Sequence, residues 1–117
     1  MNYYIIASVL SMLVACPAYA HEPEAYYQRM MCEDIGVMEY MLDDDTRIDC
    51  LTDGYAWEVD FQEKWAEAIG QCLHYASKTG RHPAIYLIGD NVEKYAKRIM
   101  AVSNRYNLGI HVKALLL

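Results

Sequence analysis

Apolar and polar residues alternate with two different periods along the chain, and these periods divide it into helices and strands. From Glu24 to about Leu42 apolar residues recur every three or four positions, which predicts an amphipathic helix. We expect the apolar side of this helix to pack in the core. Its apolar positions are Tyr27, Met30, Met31, Ile35, Met38 and Met41.

The next stretch has the pattern of a β-hairpin. Residues 46–51 and 55–61 alternate with the period of two that is typical of strands, and the T-D-G triplet at 52–54 between them favours a tight turn. Asp43, Asp44 and Asp45 form a polar turn before the hairpin.

Helices and strands then alternate to the end of the sequence. A helix is predicted over 63–79, ending at Gly80, followed by an apolar strand at 84–88, a helix at 92–106 and a strand at 110–117. The predicted order is αββαβαβ, which implies parallel pairing late in the chain and an α/β sandwich.

Residues 1–20 have the pattern of a secretory signal peptide. An uncharged apolar run at 3–15 precedes the A-Y-A site at 18–20, which predicts cleavage before His21. The protein is then periplasmic or secreted, with no stable membrane insertion after cleavage, because the run is shorter than a spanning helix. The alternative is a lipoprotein signal, in which Cys16 becomes the acylated first residue.

Residues 21–117 are enough for a single domain and too few for two. This part of the chain contains Cys32, Cys50 and Cys72. An odd number of cysteines argues against a disulfide framework, so we favour buried thiols, while one pair with one cysteine left over stays open.

Charge is distributed unevenly along the sequence. The whole chain has a net charge of −6, yet residues 21–60 hold twelve acids and two bases, whereas residues 61–117 hold eight bases and four acids. The first half is suited to cations and the second to anions.

Carboxylates occupy strand positions in the predicted hairpin. Glu58 and Asp60 are two apart and therefore share a face, and a tight turn brings Asp49 close to Glu58. Carboxylates that crowd together repel unless a cation or a shared proton relieves the repulsion. Because hard divalent ions prefer oxygen ligands, these residues predict a Mg²⁺ or Mn²⁺ site; the alternative is a solvated, soluble sheet edge.

The following helix carries Gln71 and Tyr75 one turn apart, and here the chain resembles the PD-(D/E)XK nuclease superfamily, especially its RecB-like branch. That family has an acid on its first helix, an Asp on its second strand, a (D/E)-x-K on its third strand and a Q-x-x-x-Y on the next helix. The matching residues are Glu33, Asp49, Glu58 with Asp60, Gln71 and Tyr75. The resemblance implies a restriction-endonuclease-like αβββαβ core, a three-layer sandwich around a small mixed sheet. The family's first core strand is not apparent here, because residues 34–41 have a helical pattern.

The resemblance implies a metal-dependent nuclease that hydrolyses phosphodiester bonds in nucleic acid. Asp49 and Glu58 would be catalytic metal ligands, with Asp60 and Glu33 completing the site, and Gln71, Tyr75, Lys78 and Arg81 would contact the substrate. Asp60 stands where the family has its lysine, and Lys64, the nearest lysine, is expected to stabilise charge instead.

The loss of the family's lysine leaves a second function open. A catalytically inactive domain of the same fold would serve as an exported binding or interaction protein. A homodimer is also left open, because so short a domain has little room for specificity elements.

Overall fold

The strands of the sheet lie side by side in the order in which they occur in the chain. The computed structural model describes residues 21–117; the predicted signal peptide and the Cys16 alternative lie outside these residues. The helices are α1 (Glu24–Cys32), α2 (Trp65–Thr79) and α3 (Val92–Tyr106), and a 3₁₀ turn, Gln62–Lys64, precedes α2. The strands are β1 (Val37–Met41), β2 (Arg47–Leu51), β3 (Tyr55–Phe61), β4 (His82–Gly89) and β5 (His111–Leu116).

The sheet is mixed, in the order β1-β2-β3-β4-β5. The strands β1, β2 and β3 pair antiparallel, whereas β3, β4 and β5 pair parallel, with α2 and α3 as the connections between them. The expected α/β class and the parallel pairing late in the chain are therefore confirmed.

The first helix is shorter than its apolar pattern predicts. It ends at Cys32, whose carbonyl accepts hydrogen bonds from the backbone N–H groups of Ile35 and Gly36. The strand β1 then occupies residues that were predicted to be the last part of the helix. A side chain at Gly36 would meet the Leu51 carbonyl oxygen at 2.6 Å, so this residue lets the chain turn closely past β2. The predicted helix to Leu42 was wrong. Its predicted core side is correct only in part, because Tyr27 is buried and Met31 packs against the core, whereas Met30, Ile35 and Met41 are exposed.

The hairpin and the later elements follow the predicted pattern. Thr52 closes the turn between β2 and β3, with its backbone N–H and its hydroxyl both donating to the Tyr55 carbonyl. Gly80 ends α2 in the left-handed conformation, at φ 71°, which favours glycine. With β1 added, the element order is αβββαβαβ.

Helices pack on both faces of the sheet. On one face α1 packs through Tyr27 against Val59 and Ile88. On the other face α2 and α3 pack through Ala68, Cys72 and Ile99 against Ile85 and Leu87. Alternate residues of β3 and β4 therefore belong to two different cores, since successive strand side chains point to opposite faces.

A disulfide joins the end of α1 to β2. Cys32 and Cys50 are bonded, whereas Cys72 is a buried free thiol in α2. Buried thiols at all three positions were the favoured expectation, and for Cys32 and Cys50 this was wrong. The pairing depends on the helix ending at Cys32 beside β2, which the apolar pattern does not indicate.

Gln62 connects the end of β3 to the start of α3. Its buried amide donates to Asp90 Oδ1 at 2.8 Å and accepts the Asn91 N–H at 2.8 Å. A side chain at Gly89 would meet the Gln62 amide at 2.2 Å, so the glycine makes room for it.

Candidate functional site: a buried carboxylate cluster

The strands β2 and β3 separate in the region that carries the predicted carboxylates. Their paired residues are Cys50 with Trp57 and Leu51 with Ala56. Beyond these pairs the Val59 N–H donates to Asp49 Oδ2 at 2.8 Å, so a side chain takes the place of a backbone acceptor. The Asp49 carboxyl group therefore lies between the two strands.

Four carboxyl groups form a connected series at this separation, which we call the carboxylate cluster. Each carboxyl group perturbs the next one in the order Asp49, Glu58, Asp60 and Glu24, the last at the start of α1. Only 4% of Glu58 and 4% of Asp60 is exposed. Contacts of this kind require shared protons or a cation, because two adjacent carboxylates repel each other.

Glu58 lies at the centre of the cluster and is the most strongly perturbed acid. Burial, followed by the charges of Asp49 and Asp60, raises its pKa to about 10. Its Oε2 atom is buried and has no hydrogen-bond donor among residues 21–117. An unpaired buried carboxylate oxygen is costly unless it is protonated or binds a cation.

The neighbours of Glu58 are shifted in the same direction. Burial raises the pKa of Asp49 to about 6, against the opposing effect of the hydrogen bond from Val59. Burial and the contact with Glu24 raise the pKa of Asp60 to about 7, and the positive charge of Lys64 acts against this rise. Lys64 is exposed at the end of the 3₁₀ turn.

Gln28 and Glu39 support the cluster from α1 and β1. The buried Gln28 amide donates to Glu39 Oε1 at 2.9 Å and to the Asp49 carbonyl oxygen at 2.8 Å. Glu39 has a left-handed backbone, with φ of 54°, in the middle of β1. This conformation costs a non-glycine residue roughly 1–2 kcal/mol, and such strain is frequent at functional sites.

The helix α2 contributes Tyr75 and Cys72. Tyr75 is buried, and burial followed by the charges of Glu58 and Asp49 raises the pKa of its hydroxyl. Burial and then the charge of Glu58 raise the pKa of the Cys72 thiol to about 12, so the thiol stays protonated near neutral pH. Gln71 lies one turn before Tyr75 and is exposed.

The structure does not bring Glu33, Lys78 and Arg81 to the carboxylate cluster. Glu33 is exposed at the opposite end of α1 from Glu24, about 13 Å along the helix axis. Lys78 pairs with Asp43 at 2.9 Å. Lys78 and Arg81 line a cavity of about 200 Å³ next to Tyr40.

Glu24 in the cluster and its supporting residues Gln28 and Glu39 were not among the predicted site residues. Glu24 and Gln28 are one helical turn apart, so their spacing places them on one face of α1. That signal was present in the sequence. Glu39 carried no such signal, because its position was assigned to a helix.

The side chains as they stand do not form a complete metal-binding group. Within residues 21–117 no three His, Cys, Asp or Glu side chains converge as ligands for one ion. The carboxyl groups instead contact one another in series. Binding of a cation therefore requires their oxygens to turn away from these contacts and towards a common centre.

Neither a membrane-spanning helix within the described residues nor a similar known protein was found. No helix within residues 21–117 is both long and apolar enough to cross a membrane. Comparison of the chain with protein-family models, with curated proteins and with solved structures found no match.

Proposed function

We propose that the protein is a metal-dependent nuclease that hydrolyses phosphodiester bonds in nucleic acid. The observation that supports this function best is Glu58 Oε2, a buried carboxylate oxygen with no donor among the described residues, in a series of four acids. A divalent cation would supply the positive charge that this site otherwise obtains from protons. Mg²⁺ and Mn²⁺ fit a donor set made only of oxygen atoms.

Asp49 and Glu58 would hold the metal, together with Asp60 and Glu24. Their oxygens come from two strands and one helix, which are held together by the sheet and by the Cys32–Cys50 disulfide. When bound, the ion lowers the pKa of a coordinated water and neutralises charge on the phosphate. Gln28 would keep Asp49 in position through its hydrogen bond to the Asp49 carbonyl oxygen.

The element order supports assignment to the PD-(D/E)XK superfamily with a restriction-endonuclease-like core. Residues 24–89 follow the order αβββαβ, with β4 parallel to β3. Asp49 lies on the second strand and Glu58 on the third, as in the family's motif. Glu24 takes the role of the acid on the first helix, which the resemblance had implied for Glu33.

Lys64 is the proposed substitute for the family's lysine. Asp60 occupies the lysine position, but the charge of Lys64 acts on Asp60 from the start of α2. A lysine placed there can stabilise negative charge on a phosphate held by the cluster. Gln71, exposed one turn from Tyr75, would contact the substrate backbone.

The Cys32–Cys50 disulfide supports export to an oxidising compartment. Disulfides persist in the periplasm and outside the cell and are rare in the cytosol. We therefore propose a periplasmic or secreted protein, in agreement with the predicted signal peptide.

The decisive experiment measures cleavage of single- and double-stranded DNA and RNA with Mn²⁺, Mg²⁺ or chelator. We expect metal-dependent cleavage that Asp49→Asn abolishes. Asp53→Asn is the matched control, because Asp53 is exposed in the turn four residues away. Equal cleavage by the two variants, or cleavage in chelator, would exclude the proposed site.

A catalytically inactive binding protein is the second candidate. Asp60 favours it, because an acid whose pKa is raised by Glu24 stands where the family's lysine belongs. Lys64→Ala separates the two functions: the nuclease loses activity and keeps Mn²⁺ binding. If the unmodified protein binds Mn²⁺ but cleaves no substrate, the binding function is correct.

A further inference from the structure

One face of the sheet is covered only in part. The strands β3, β4 and β5 pair parallel and in register, so Trp57, Ala84 and His111 form one cross-strand row and Val59, Tyr86 and Lys113 the next. These rows point to the same face as α1, because Val59 belongs to the core under α1. We call the exposed part of this face, carrying Tyr55, His82, Tyr86, His111 and Lys113, the open face.

The open face is left uncovered because α1, the one helix on this side among residues 21–117, is short and narrower than the sheet. The helix has nine residues and packs mainly on β1, β2 and β3. A single helix is about 10 Å wide, whereas five strands span roughly 19 Å. Over β4 and β5, His82 and Lys113 are exposed, and Tyr86 and His111 are half-buried.

Aromatic rings lie close together on the open face. The rings of Tyr55 and His111 stack, with their centroids 4.9 Å apart and an interplanar angle of 29°. His111 also meets the edge of Trp57 at 5.5 Å, and His82 lies 6.0 Å from Tyr55. The Lys113 ammonium is 5.9 Å from the centre of the Trp57 ring. Rings from three strands therefore form one continuous platform with a cation beside it.

The charge of the open face indicates the kind of ligand it binds. The residues of β3, β4 and β5 that point to this face include no acid; they are Tyr55, Trp57, Val59, Phe61, His82, Ala84, Tyr86, Ile88, His111, Lys113 and Leu115. At the end where these strands begin, a groove of about 620 Å³ continues from Tyr55, His82 and His111 to Asn104 and Asn107. An apolar protein surface would leave the lysine, the imidazoles and the amides without hydrogen-bond or charge partners. A polyanion that also carries planar groups would contact all of them.

We propose that the open face binds single-stranded nucleic acid by stacking bases on Tyr55 and His111. Aromatic side chains on an exposed sheet accept unpaired bases of any sequence, and adjacent cations hold the backbone. Lys113 would contact a phosphate, and Asn104 and Asn107 would offer hydrogen bonds to base edges. This binding does not depend on hydrolysis, because Tyr55 on the open face and Glu58 in the carboxylate cluster point to opposite sides of β3.

The test measures binding of a fluorescein-labelled 20-nucleotide oligo(dT) to the purified protein in chelator, by fluorescence anisotropy. We expect His111→Ala to weaken binding on the order of tenfold, because a stacking contact is lost. Lys113→Ala should lower the slope of log affinity against log salt concentration by about 0.7, because one phosphate contact is lost. Neither residue lies in the carboxylate cluster.

The matched control is Tyr106→Ala. Tyr106 is an exposed aromatic residue beside Arg105 at the end of α3, outside the open face. The inference is overturned if oligo(dT) does not bind, if Tyr106→Ala weakens binding as much as His111→Ala, or if a duplex of the same length binds equally well. It is also overturned if His111→Ala converts a stable dimer to a monomer, since a second copy would then cover the face. Binding without cleavage would support the inference and remove the proposed nuclease activity.

Discussion

Glu58 shows how one residue can link protonation to stability in this protein. The carboxyl group keeps its proton in the folded state up to a pKa of about 10, whereas its ordinary pKa is 4.5. Below its ordinary pKa the group is protonated in both states, so it causes no loss of stability there. Between the two values only the unfolded chain releases the proton, and the free energy of unfolding falls as pH rises.

The first prediction follows from this difference in protonation. In chelator, the thermal midpoint should fall steadily between pH 5 and pH 9, because Glu58 and Asp60 both have raised pKa values. In the pH range where a group is ionised only in the unfolded chain, it lowers the free energy of unfolding by up to about 1.4 kcal/mol per pH unit. Glu58→Gln should flatten the pH dependence, as measured by thermal denaturation.

The control for this measurement is Glu67→Gln, an exposed acid on α2. It should leave the pH dependence unchanged. A midpoint that is constant or rises between pH 5 and pH 9 would contradict the burial of protonated acids in the cluster.

The second prediction compares two acids at opposite ends of α1. Glu24→Gln should weaken Mn²⁺ binding roughly tenfold or more, because Glu24 contacts Asp60, whereas exposed Glu33→Gln should have no effect. Isothermal titration calorimetry of the two variants measures the difference. If Glu33→Gln has the larger effect, the assignment of Glu24 to the cluster is wrong.

Individual site residues were predictable to different degrees. Asp49, Glu58 and Asp60 were expected to lie together from the hairpin pattern alone, and the structure places them in contact. Glu24 was not predicted: its spacing from Gln28 places both on one face of α1, but this spacing does not show which end of the helix lies next to the strands. The left-handed backbone of Glu39 depends on its partners and has no local signal.

At the scale of the secondary-structure elements, the ends of β3 and β4 are joined to α3 by the close packing of Gln62 against Gly89. The periodic pattern of apolar residues does not indicate this contact. The start of α3 is held by the buried Gln62 amide, which accepts the Asn91 N–H and donates to Asp90. Gly89, the last residue of β4, leaves the space for that amide.

The third prediction contrasts two glycines. Gly89→Ala should lower the free energy of unfolding by about 1–3 kcal/mol, because its methyl group would displace the Gln62 side chain. Gly70→Ala should raise it by up to about 1 kcal/mol, because Gly70 is inside α2 with open space around it. Urea denaturation of both variants measures the two changes. A loss of stability in Gly70→Ala would mean that its surroundings in α2 are more crowded than in the structure.

Elements whose apolar residues follow one regular period were predicted well. The strand β1, whose apolar residues have a helical spacing, was not. The hairpin, α2, α3 and the last two strands follow their patterns within two or three residues. The apolar residues of β1 recur at a helical spacing by coincidence, since most of them are exposed and not constrained by a core. Exposed edge strands lack the alternation that identifies strands with one buried face.

At the scale of the whole molecule, the sheet assembles features that are far apart in the sequence. The open face draws its rings and its lysine from three strands, so no segment of the chain shows an aromatic and basic stripe. The carboxylate cluster likewise needs α1, β2 and β3 together. Composition predicted the acidic and basic halves of the chain, but not that the two halves meet along the pairing of β3 with β4.

The position of Cys72 has a consequence for how the protein reaches its folded state. Among residues 21–117 three thiols allow three pairings, and two of these use Cys72, which becomes inaccessible once α2 packs on the sheet. A chain that oxidises before α2 docks can therefore be caught with Cys72 wrongly bonded. We therefore expect Cys72→Ala to shorten the time needed for oxidative refolding. The measurement is the gain of the native disulfide over time in samples quenched by alkylation. An unchanged rate would show that α2 docks before the cysteines oxidise.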